Sequence, residues 1–153
     1  PMEVFETRFP WIVEEYALRP NSGGAGKFRG GLSNVKQMLC TGGMLVSQMT
    51  NKHKLAAWGL VGGKEGKTGA TLFKKSGSDS WETAVVAYGK VSPSKYSNIP
   101  MQPGDRVRVL APGGGGYGHA SERERNDVLK DLEEGYISKA DAMESYSVKG
   151  SDL

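Results

Sequence analysis

The sequence has one cysteine, Cys40, among 153 residues. A single cysteine excludes a disulfide within the chain, and such low usage is typical of proteins from a reducing compartment. Cys40 lies in the stretch NVKQMLC, where it shares one strand face with Met38. We therefore expect the thiol to be buried as a small apolar side chain and not to act as a nucleophile.

Long hydrophobic runs are also missing. Hydrophobic residues make up 37% of the chain, and no stretch approaches the roughly 20 apolar residues that a membrane-spanning helix needs. The first residues do not combine a basic region with an apolar run, as a secretory signal would. The sequence predicts a cytoplasmic protein with no membrane partner.

Clusters of catalytic or metal-binding residue types are scarce. The two histidines, His53 and His119, stand far apart, and neither has a cysteine or carboxylate at metal-ligand spacing. There is no G-x-S-x-G motif and no complete G-x-x-x-x-G-K-[ST] phosphate loop; Gly26-Lys27, for example, is followed by Phe28. The sequence predicts no metal ligand, no cofactor-binding residue and no self-contained active site, and it leaves the catalytic residues unknown.

Glycine, in contrast, is abundant: the chain has 22, about twice the average usage. The glycines cluster in the stretches 19–34, 53–73 and 111–118. Chain this rich in glycine suits neither a helix nor the interior of a sheet, and it favours an extended, polyproline-II-like or looping backbone. Structural roles are predicted for the glycines of the first and last clusters: Gly23, Gly24, Gly26, Gly30, Gly31, Gly113, Gly114, Gly115, Gly116 and Gly118.

The last cluster satisfies the dinucleotide fingerprint G-x-G-x-x-G with Gly113, Gly115 and Gly118. However, Pro112 stands at the strand exit, and no second strand follows the next predicted helix, so the βαβ unit of a dinucleotide fold is missing. The residues 122–124 (ERE) that open this helix are mostly acidic, which disfavours an incoming phosphate. We interpret the loop as a structural turn between a strand and a helix.

Hydrophobic alternation and turn residues predict a mainly β fold, barrel-like or sandwich-like, with glycine-rich polyproline-II-like segments. Residues 34–40 and 43–50 are predicted to pair as strands around a Thr41-Gly42-Gly43 turn. The stretch 92–105 is rich in turn residues. Further strand character is found at 2–18, bent at Pro10, at 81–90 and at 106–112, where Val107 and Val109 alternate with arginines.

A short helical hairpin is predicted at the C-terminal end. Ser121 and Glu124 match a capping box, Gly135 suits a helix stop, and Ser138 precedes a second helix. The predicted domain division is a β-rich, glycine-rich module at 1–120 and a helical tail at 121–153.

The net charge of +3 conceals an uneven distribution. Between residues 21 and 75 there are nine Lys/Arg and a single acid, Glu65, whereas residues 122–153 hold nine acids and five bases. A solvated basic face is one interpretation, and a surface for an acidic partner or phosphate is the other. The lysines are not interleaved with aromatic residues, which argues against nucleic acid. For a free-standing anion-binding module, the predicted contacts are Lys27, Arg29, Lys64 and Lys67.

Four segments occur in the order in which one family carries them. PMEVFETRFPWIVEEYALRPNSGGAGKFRGGLS is similar to a P-x-E-x-x-E start and a DSGGAG-x-x-RGGLG core, with Asn21 for the aspartate and Ser33 for the last glycine. AAWGLVGGKEGKTG is similar to PWGL-x-GGK-x-G, with Ala57 for the proline. MQPGDRVRVLAPGGGGYGHASERE and VLKDLEEGYISKADAMESYSV are similar to its GD…TPGGGGYGDP-x-ER and closing segments. The chain thereby resembles the hydantoinase B/5-oxoprolinase family.

This resemblance covers nearly all of the chain, while family members are several times longer, so the chain resembles their C-terminal region as a separate polypeptide. The family implies bundled polyproline-II helices beside a β-barrel-like region. It also implies a larger hydantoinase B-like partner and hydantoinase A-like subunits that bind ATP with Mg²⁺. A divalent metal is possible elsewhere in such a complex.

The resemblance implies a small subunit of a multi-subunit ATP-dependent carboxylase that acts on a ketone such as acetone or acetophenone, where the chain would complete the fold of the larger subunit. The first alternative is a subunit or fragment of an ATP-dependent hydantoinase, oxoprolinase or lactamase, which opens a cyclic amide. The second is the free-standing anion-binding module described above.

Overall fold

The computed structural model describes residues 1–148; residues 149–153, the end of the predicted helical tail, lie outside the described residues. The chain forms two compact units, each built from three separate stretches. Unit 1 comprises Pro1–Ala17, Val35–His53 and Ala70–Leu110, and unit 2 comprises Leu18–Asn34, Lys54–Gly69 and the described chain from residue 111. The predicted domain boundary, between residues 120 and 121, falls within unit 2.

The described chain contains seven strands, four short α-helices and one 3₁₀ turn. The strands are β1 (Trp11–Arg19), β2 (Ser33–Cys40), β3 (Met44–Met49), β4 (Ala70–Lys74), β5 (Glu82–Thr83), β6 (Lys95–Met101) and β7 (Arg106–Leu110). The helices are α1 (Met2–Arg8), α2 (Ala84–Tyr88), α3 (Arg125–Glu133) and α4 (Lys139–Tyr146), with a 3₁₀ turn at Ala120–Glu122.

Strand β7 lies at the centre of a five-stranded sheet with the order β1-β2-β7-β4-β5. It pairs antiparallel with β2, where Met38 lies opposite Val107, and with β4, where Phe73 lies opposite Val107. Val107 is buried, as the alternation of valine and arginine predicts. The mainly β prediction is confirmed, but β1 and β5 are edges of this sheet, so it does not close into a barrel.

The core of unit 1 contains residues from this sheet and from a two-stranded ribbon of β3 and β6. In the ribbon, Met44 lies opposite Met101 and Val46 opposite Ile99. Ile99 and Met101 are fully buried. The buried cluster consists of Trp11, Cys40, Phe73, Ala84, Ile99, Met101 and Val107.

Unit 2 has its own small core around α3 and α4. Gly135, at φ +71°, follows the last turn of α3, and the side chain of Ser138 accepts a hydrogen bond from the Asp141 amide at 3.2 Å at the start of α4. The predicted helix stop and the predicted second helix start are therefore confirmed. The buried residues are Ala25, Val128, Ile137, Ala142, Tyr146 and Val148.

The first eight residues correct one strand prediction. Residues 2–8 form α1, and only the part after Pro10 forms the strand β1. The Phe5 and Phe9 rings contact each other at 5.2 Å between centroids, and Glu6 accepts a hydrogen bond from the Val13 amide at 2.6 Å. Contacts within this short stretch therefore override its β-branched and aromatic composition.

The predicted pairing of residues 34–40 with 43–50 is also wrong. Both stretches are strands, but β2 has β1 and β7 as its neighbours, so both of its edges are occupied. Strand β3 pairs with β6 instead. A short glycine turn is compatible with a hairpin but does not enforce one when other strands compete for the same edge.

The structure also corrects the secondary structure predicted for two stretches between residues 81 and 105. The stretch 81–90 holds the two-residue strand β5 and the helix α2, which ends at Gly89 with φ +62°. The turn-rich stretch 92–105 contains β6. Pro100, which has no amide proton, is tolerated in β6 because β6 is an edge strand of a two-stranded ribbon with β3. One edge of β6 therefore pairs with no strand of the ribbon and needs no amide donor.

The capping box does not form. Residues 120–122 form the 3₁₀ turn, and Glu124, three residues after Ser121, is the N-cap of α3 without a side-chain cap hydrogen bond in the described chain. The helix therefore begins later than the sequence pattern indicates. The residues before the helix, 120–122, instead form the 3₁₀ turn that follows the glycine loop.

Cys40 offers a first test of the fold. Its side chain is 1% exposed, and its Sγ donates a hydrogen bond to the Gly42 carbonyl at 2.9 Å. Burial raises the pKa of the thiol, which lowers the fraction of reactive thiolate.

We expect a disulfide reagent at pH 8 to modify Cys40 on the order of a hundredfold more slowly in the native chain than in the urea-unfolded chain. A Met49→Cys variant, with a new thiol at a position that is 82% exposed, is the matched control and should react at once. Equal rates at both positions would contradict the burial of Cys40.

Candidate functional site

Three glycine-rich segments meet in unit 2 and bond to one another through their backbones. We call residues 22–31, 57–67 and 113–118 the glycine bundle. The Gly24 amide donates to the Gly114 carbonyl at 2.8 Å, the Gly116 amide to the Lys64 carbonyl at 2.9 Å, and the Lys64 amide to the Ala25 carbonyl at 2.7 Å. Each segment is thus linked directly to the other two. Arg19 adds a further bridge, since its guanidinium donates to the Thr68 and Ala111 carbonyls.

The three backbones approach too closely for side chains between them. A Cβ atom added at Gly113 would lie 1.7 Å from the Ser22 carbonyl oxygen, and one at Gly115 would lie 2.0 Å from that of Trp58. Such distances are far below van der Waals contact. The same holds, at 2.1–2.8 Å from backbone atoms, for Gly23, Gly24, Gly26, Gly30, Gly59, Gly63, Gly66 and Gly116.

The other predicted structural glycines are placed differently. Gly31 has space around it, since a Cβ there would meet nothing within 4 Å among the described residues. At Gly114 the nearest atom would be the Gly31 nitrogen at 3.0 Å. Gly118 adopts φ +73°, a left-handed conformation that favours glycine.

The amides of the G-x-G-x-x-G stretch are used within the bundle. Gly113 donates to the Lys67 carbonyl, Gly114 to Gly31, Gly116 to Lys64, Tyr117 to Phe28 and Gly118 to Leu60. A phosphate-binding loop needs such amides directed at its ligand. Here these donors hold neighbouring chain segments together, in agreement with the interpretation of this loop as a structural turn.

The four predicted anion contacts do not converge. Lys64 and Lys67 line one small polar pocket of about 190 Å³ in unit 2. Carboxylates of Glu65, Asp141 and Glu144 line the same pocket, so its charge is mixed. Lys64 Nζ donates to Ser145 Oγ at 3.4 Å across it.

Lys27 and Arg29 are both engaged with carboxylates. Lys27 Nζ lies 3.7 Å from Glu122 at the surface, where both side chains are about half exposed. Arg29 Nε donates to Asp131 Oδ2 at 2.8 Å, and its guanidinium lies 5.6 Å from the centre of the Tyr136 ring. As anion contacts, these two residues would have to give up partners within the protein.

Asp131 is the centre of a buried charge cluster that the sequence did not reveal. Its side chain is 9% exposed and accepts hydrogen bonds from Arg29 and, at 2.7 Å, from Arg123 Nη2. Arg123 also lies over the ring of Tyr146, whose pKa is raised by burial. A charged residue in an amphipathic helix is ordinarily predicted to face solvent, so the helical pattern of α3 conceals this role.

Asn21, which stands where the family pattern has aspartate, is a second missed residue. It adopts φ 57°, a left-handed conformation to which asparagine is well suited. Its Oδ1 accepts from the Ser138 amide at 2.7 Å, its Nδ2 donates to Ser138 Oγ at 3.1 Å, and its own amide donates to the Tyr136 carbonyl at 2.9 Å. Asn21 thereby ties the first glycine segment to the start of α4.

The histidines have separate surroundings. His53 shares a 3.0 Å hydrogen bond with Thr50, and burial lowers the pKa of its imidazole. His119 is exposed, and its ring packs over Gly62, where an added Cβ would lie 2.4 Å from Cε1. Within residues 1–148, no group of three or more His, Cys, Asp or Glu side chains is arranged to hold a metal ion.

Unit 1 contains a larger, mainly apolar cavity of about 410 Å³. Phe5, Phe9, Trp11 and Met44 line it together with polar atoms of Gln48 and others. The Tyr96 hydroxyl donates to Gln48, and burial raises the pKa of Tyr96 to about 12. These groups can surround an apolar molecule or chain segment, but they do not form a nucleophile–base pair.

The chemistry of unit 2 is therefore that of a scaffold. Backbone amides and carbonyls of distant segments satisfy one another, and buried charges clamp α3 to the bundle through Arg29. None of the helices within residues 1–148 has the length and apolar character that crossing a membrane requires.

The family model described as hydantoinase B/oxoprolinase matches residues 1–120. A protein of Methanocaldococcus jannaschii is 34% identical over 149 residues, which are 97% of this chain and 24% of that protein.

Two solved structures share the fold. The ATP-dependent caprolactamase from Pseudomonas jessenii superposes with a TM-score of 0.84 and 25% identity, over 100% of this chain and 26% of that one. Acetone carboxylase in its nucleotide-free form gives a TM-score of 0.76 at 21% identity, over 97% of this chain and 23% of that one, and this likeness concerns the fold alone. The chain spans about a quarter of the length of each of these three proteins.

Proposed function

Because the chain belongs to the hydantoinase B/oxoprolinase family, we propose that it serves as a non-catalytic module of a B-type subunit, whose fold it completes, within an ATP-dependent enzyme complex. In this proposal, hydantoinase A-like subunits bind ATP with Mg²⁺, and any divalent metal lies elsewhere in the complex. The compartment proposed is the cytoplasm, where the single thiol stays reduced.

The observation that carries this proposal is the apolar surface that unit 2 leaves uncovered. Leu55 is 78% exposed, Trp58 73% and Val61 67%. Isolated apolar residues at a surface are common, whereas a contiguous apolar patch marks a protein–protein contact, and we interpret these three large side chains within one short stretch as part of such a contact. The chain matches 24% of the M. jannaschii protein and 26% of the caprolactamase chain, which supports the same interpretation, because in those proteins much further chain is present to cover such a surface.

For the substrate of the complex, a ketone that becomes carboxylated is one candidate. Its support is the shared fold with acetone carboxylase. A cyclic amide that becomes hydrolysed is the second candidate. It is favoured by the closer structural likeness to caprolactamase, which covers the whole chain. Both reactions activate a carbonyl group, and this module would support either one in the same structural way.

We test this proposal by purifying the tagged chain from its own cells and assaying the complex that comes with it. We expect a hydantoinase B-like chain and an ATP-binding chain in the complex, and ATP consumption that depends on either a ketone with bicarbonate or a cyclic amide. Titration of the isolated chain with ATP, ADP or bicarbonate should release no heat, because the bundle amides and Arg29 are already engaged.

The free-standing anion-binding module is the outcome that would overturn the proposal. It would be indicated by saturable binding of one of these anions to the isolated chain. Lys64→Gln together with Lys67→Gln would then abolish that binding, whereas Lys130→Gln, at a lysine whose side chain is 72% exposed, would not.

A further inference from the structure

Three apolar side chains form a row across the glycine bundle. Phe28 and Tyr117 form an antiparallel β-bridge, and Leu60 and Tyr117 form a parallel one. Residues paired across a β-bridge direct their side chains to the same face. Phe28, Leu60 and Tyr117 therefore share one face, which we call the apolar row.

The apolar row is exposed although its backbone is well anchored. Phe28 is 62% exposed, Leu60 56% and Tyr117 49%, with the two rings 6.2 Å apart between centroids. Phe28 and Tyr117 exchange two backbone hydrogen bonds of 2.9 Å, and the Leu60 amide donates to the Gly116 carbonyl at 2.9 Å. The exposure thus belongs to a rigid three-segment backbone, and a preorganised surface loses little conformational entropy when a partner covers it.

We propose that the apolar row packs against an apolar segment of the B-type subunit that lies outside this chain. This inference rests on the proposed function and specifies the surface through which it operates. The M. jannaschii protein matches 97% of this chain with 24% of its own length, so the same module occurs there beside a much longer chain.

A second copy of the chain is a poorer occupant. The exposed parts of the three side chains in the apolar row amount to an area on the order of 300 Å², since a large aromatic side chain buries ~150–250 Å² in full. A stable association between separate proteins needs roughly 800 Å² on each partner. A segment of a subunit that other contacts already hold in place has no such requirement.

Photo-cross-linking in the native complex tests the proposal. Benzoylphenylalanine is placed at position 28 or at position 60, and cross-linked peptides are identified by mass spectrometry. We expect both positions to cross-link to a hydantoinase B-like sequence outside residues 1–153. The same probe at position 143, where Met143 is 50% exposed on α4 of the same unit, is the matched control and should give no such cross-link.

The double variant Phe28→Ser/Leu60→Ser adds a quantitative measurement. The hydantoinase B-like chain recovered with it should fall about tenfold or more, whereas Met143→Ser should leave recovery unchanged. Hydrogen exchange of the variant verifies that the bundle amides remain protected, and the aromatic probe at position 28 gives an answer even if the double variant fails to fold.

The outcomes separate this inference from the proposed function. If the B-like chain is recovered but never cross-links at positions 28 and 60, the surface is wrong and the proposed function stands. If no B-like chain is associated with the wild-type chain, the proposed function itself is wrong. Cross-links between two copies of this chain, with a dimer by light scattering that Phe28→Ser/Leu60→Ser dissociates, would replace the proposed occupant with a second copy.

Discussion

Replacing Gly113 with alanine is expected to destabilise unit 2 by about 3 kcal/mol or more, the upper end of what overpacking costs. The added Cβ would lie 1.7 Å from the Ser22 carbonyl oxygen and 2.4 Å from its carbon. Ser22 is fully buried and cannot shift easily, because its Oγ donates to the Arg19 carbonyl at 2.6 Å and accepts from the Ser33 amide at 2.8 Å. The clash is with backbone atoms, so no side-chain rotation relieves it.

The natural control for this change is Gly31→Ala in the same bundle. A Cβ at Gly31 would meet no described atom within 4 Å. We expect its effect to stay within about 0.5 kcal/mol, the usual range for a surface position. Urea unfolding compares the free energies, and hydrogen exchange of residues 22–31, 57–67 and 113–118 shows whether the bundle is the part that opens. Equal stability of the two variants would mean that the three backbones do not approach as closely as described.

Replacing Asp131 with asparagine is expected to cost about 3–5 kcal/mol, the typical penalty for removing one partner of a buried ion pair. The change leaves Arg29 and Arg123 with side chains that are 15% and 11% exposed and without their shared carboxylate. The hydrogen bonds that remain are weak substitutes, because they go to neutral carbonyls: Arg29 Nη1 donates to the Gly30 carbonyl at 2.9 Å, and Arg123 Nη1 to the Lys27 carbonyl at 3.3 Å. Two positive charges would then lie close together and largely out of water.

Glu122→Gln provides the comparison for Asp131→Asn, because it removes a surface ion pair from the same unit. Lys27 and Glu122 are 3.7 Å apart with side chains 48% and 53% exposed, so we expect a loss of no more than about 0.5 kcal/mol. Thermal and urea unfolding should both rank the two variants in this order. A loss below about 1 kcal/mol for Asp131→Asn would show that the cluster is hydrated and does not clamp α3 to the bundle.

The strands and helices were predictable where one local pattern dominates. Alternating valine and arginine predicted β7, and Ser138 with its following helix pattern predicted α4. Prediction failed where local composition and tertiary pairing disagree. The stretch 2–8 has strand-like residues but folds as α1, and residues 43–50 pair with β6, across the sequence, instead of with the strand that precedes them.

The candidate site was predictable only in part, for the same reason. The glycine motifs indicated the segments that form the bundle, because a run of residues without side chains is visible in the sequence itself. Asp131 gave no such indication, since its partners Arg29 and Arg123 come from other elements. Asn21 was noticeable only as a departure from a family pattern. Its two hydrogen bonds to Ser138 could be recognised only in the folded structure, because the two residues are far apart in the sequence.

The sequence by itself determined the family, the glycine-rich segments that form the bundle, and the alternation that buries one face of the central strand. Only the tertiary structure decided which carbonyl each glycine faces, which arginines share Asp131, and which apolar side chains form one exposed row. The physical reason is one of range. Local patterns depend on neighbours within a few residues, whereas the contacts of the bundle join segments such as Gly24 and Gly114, which come together only when the chain has folded.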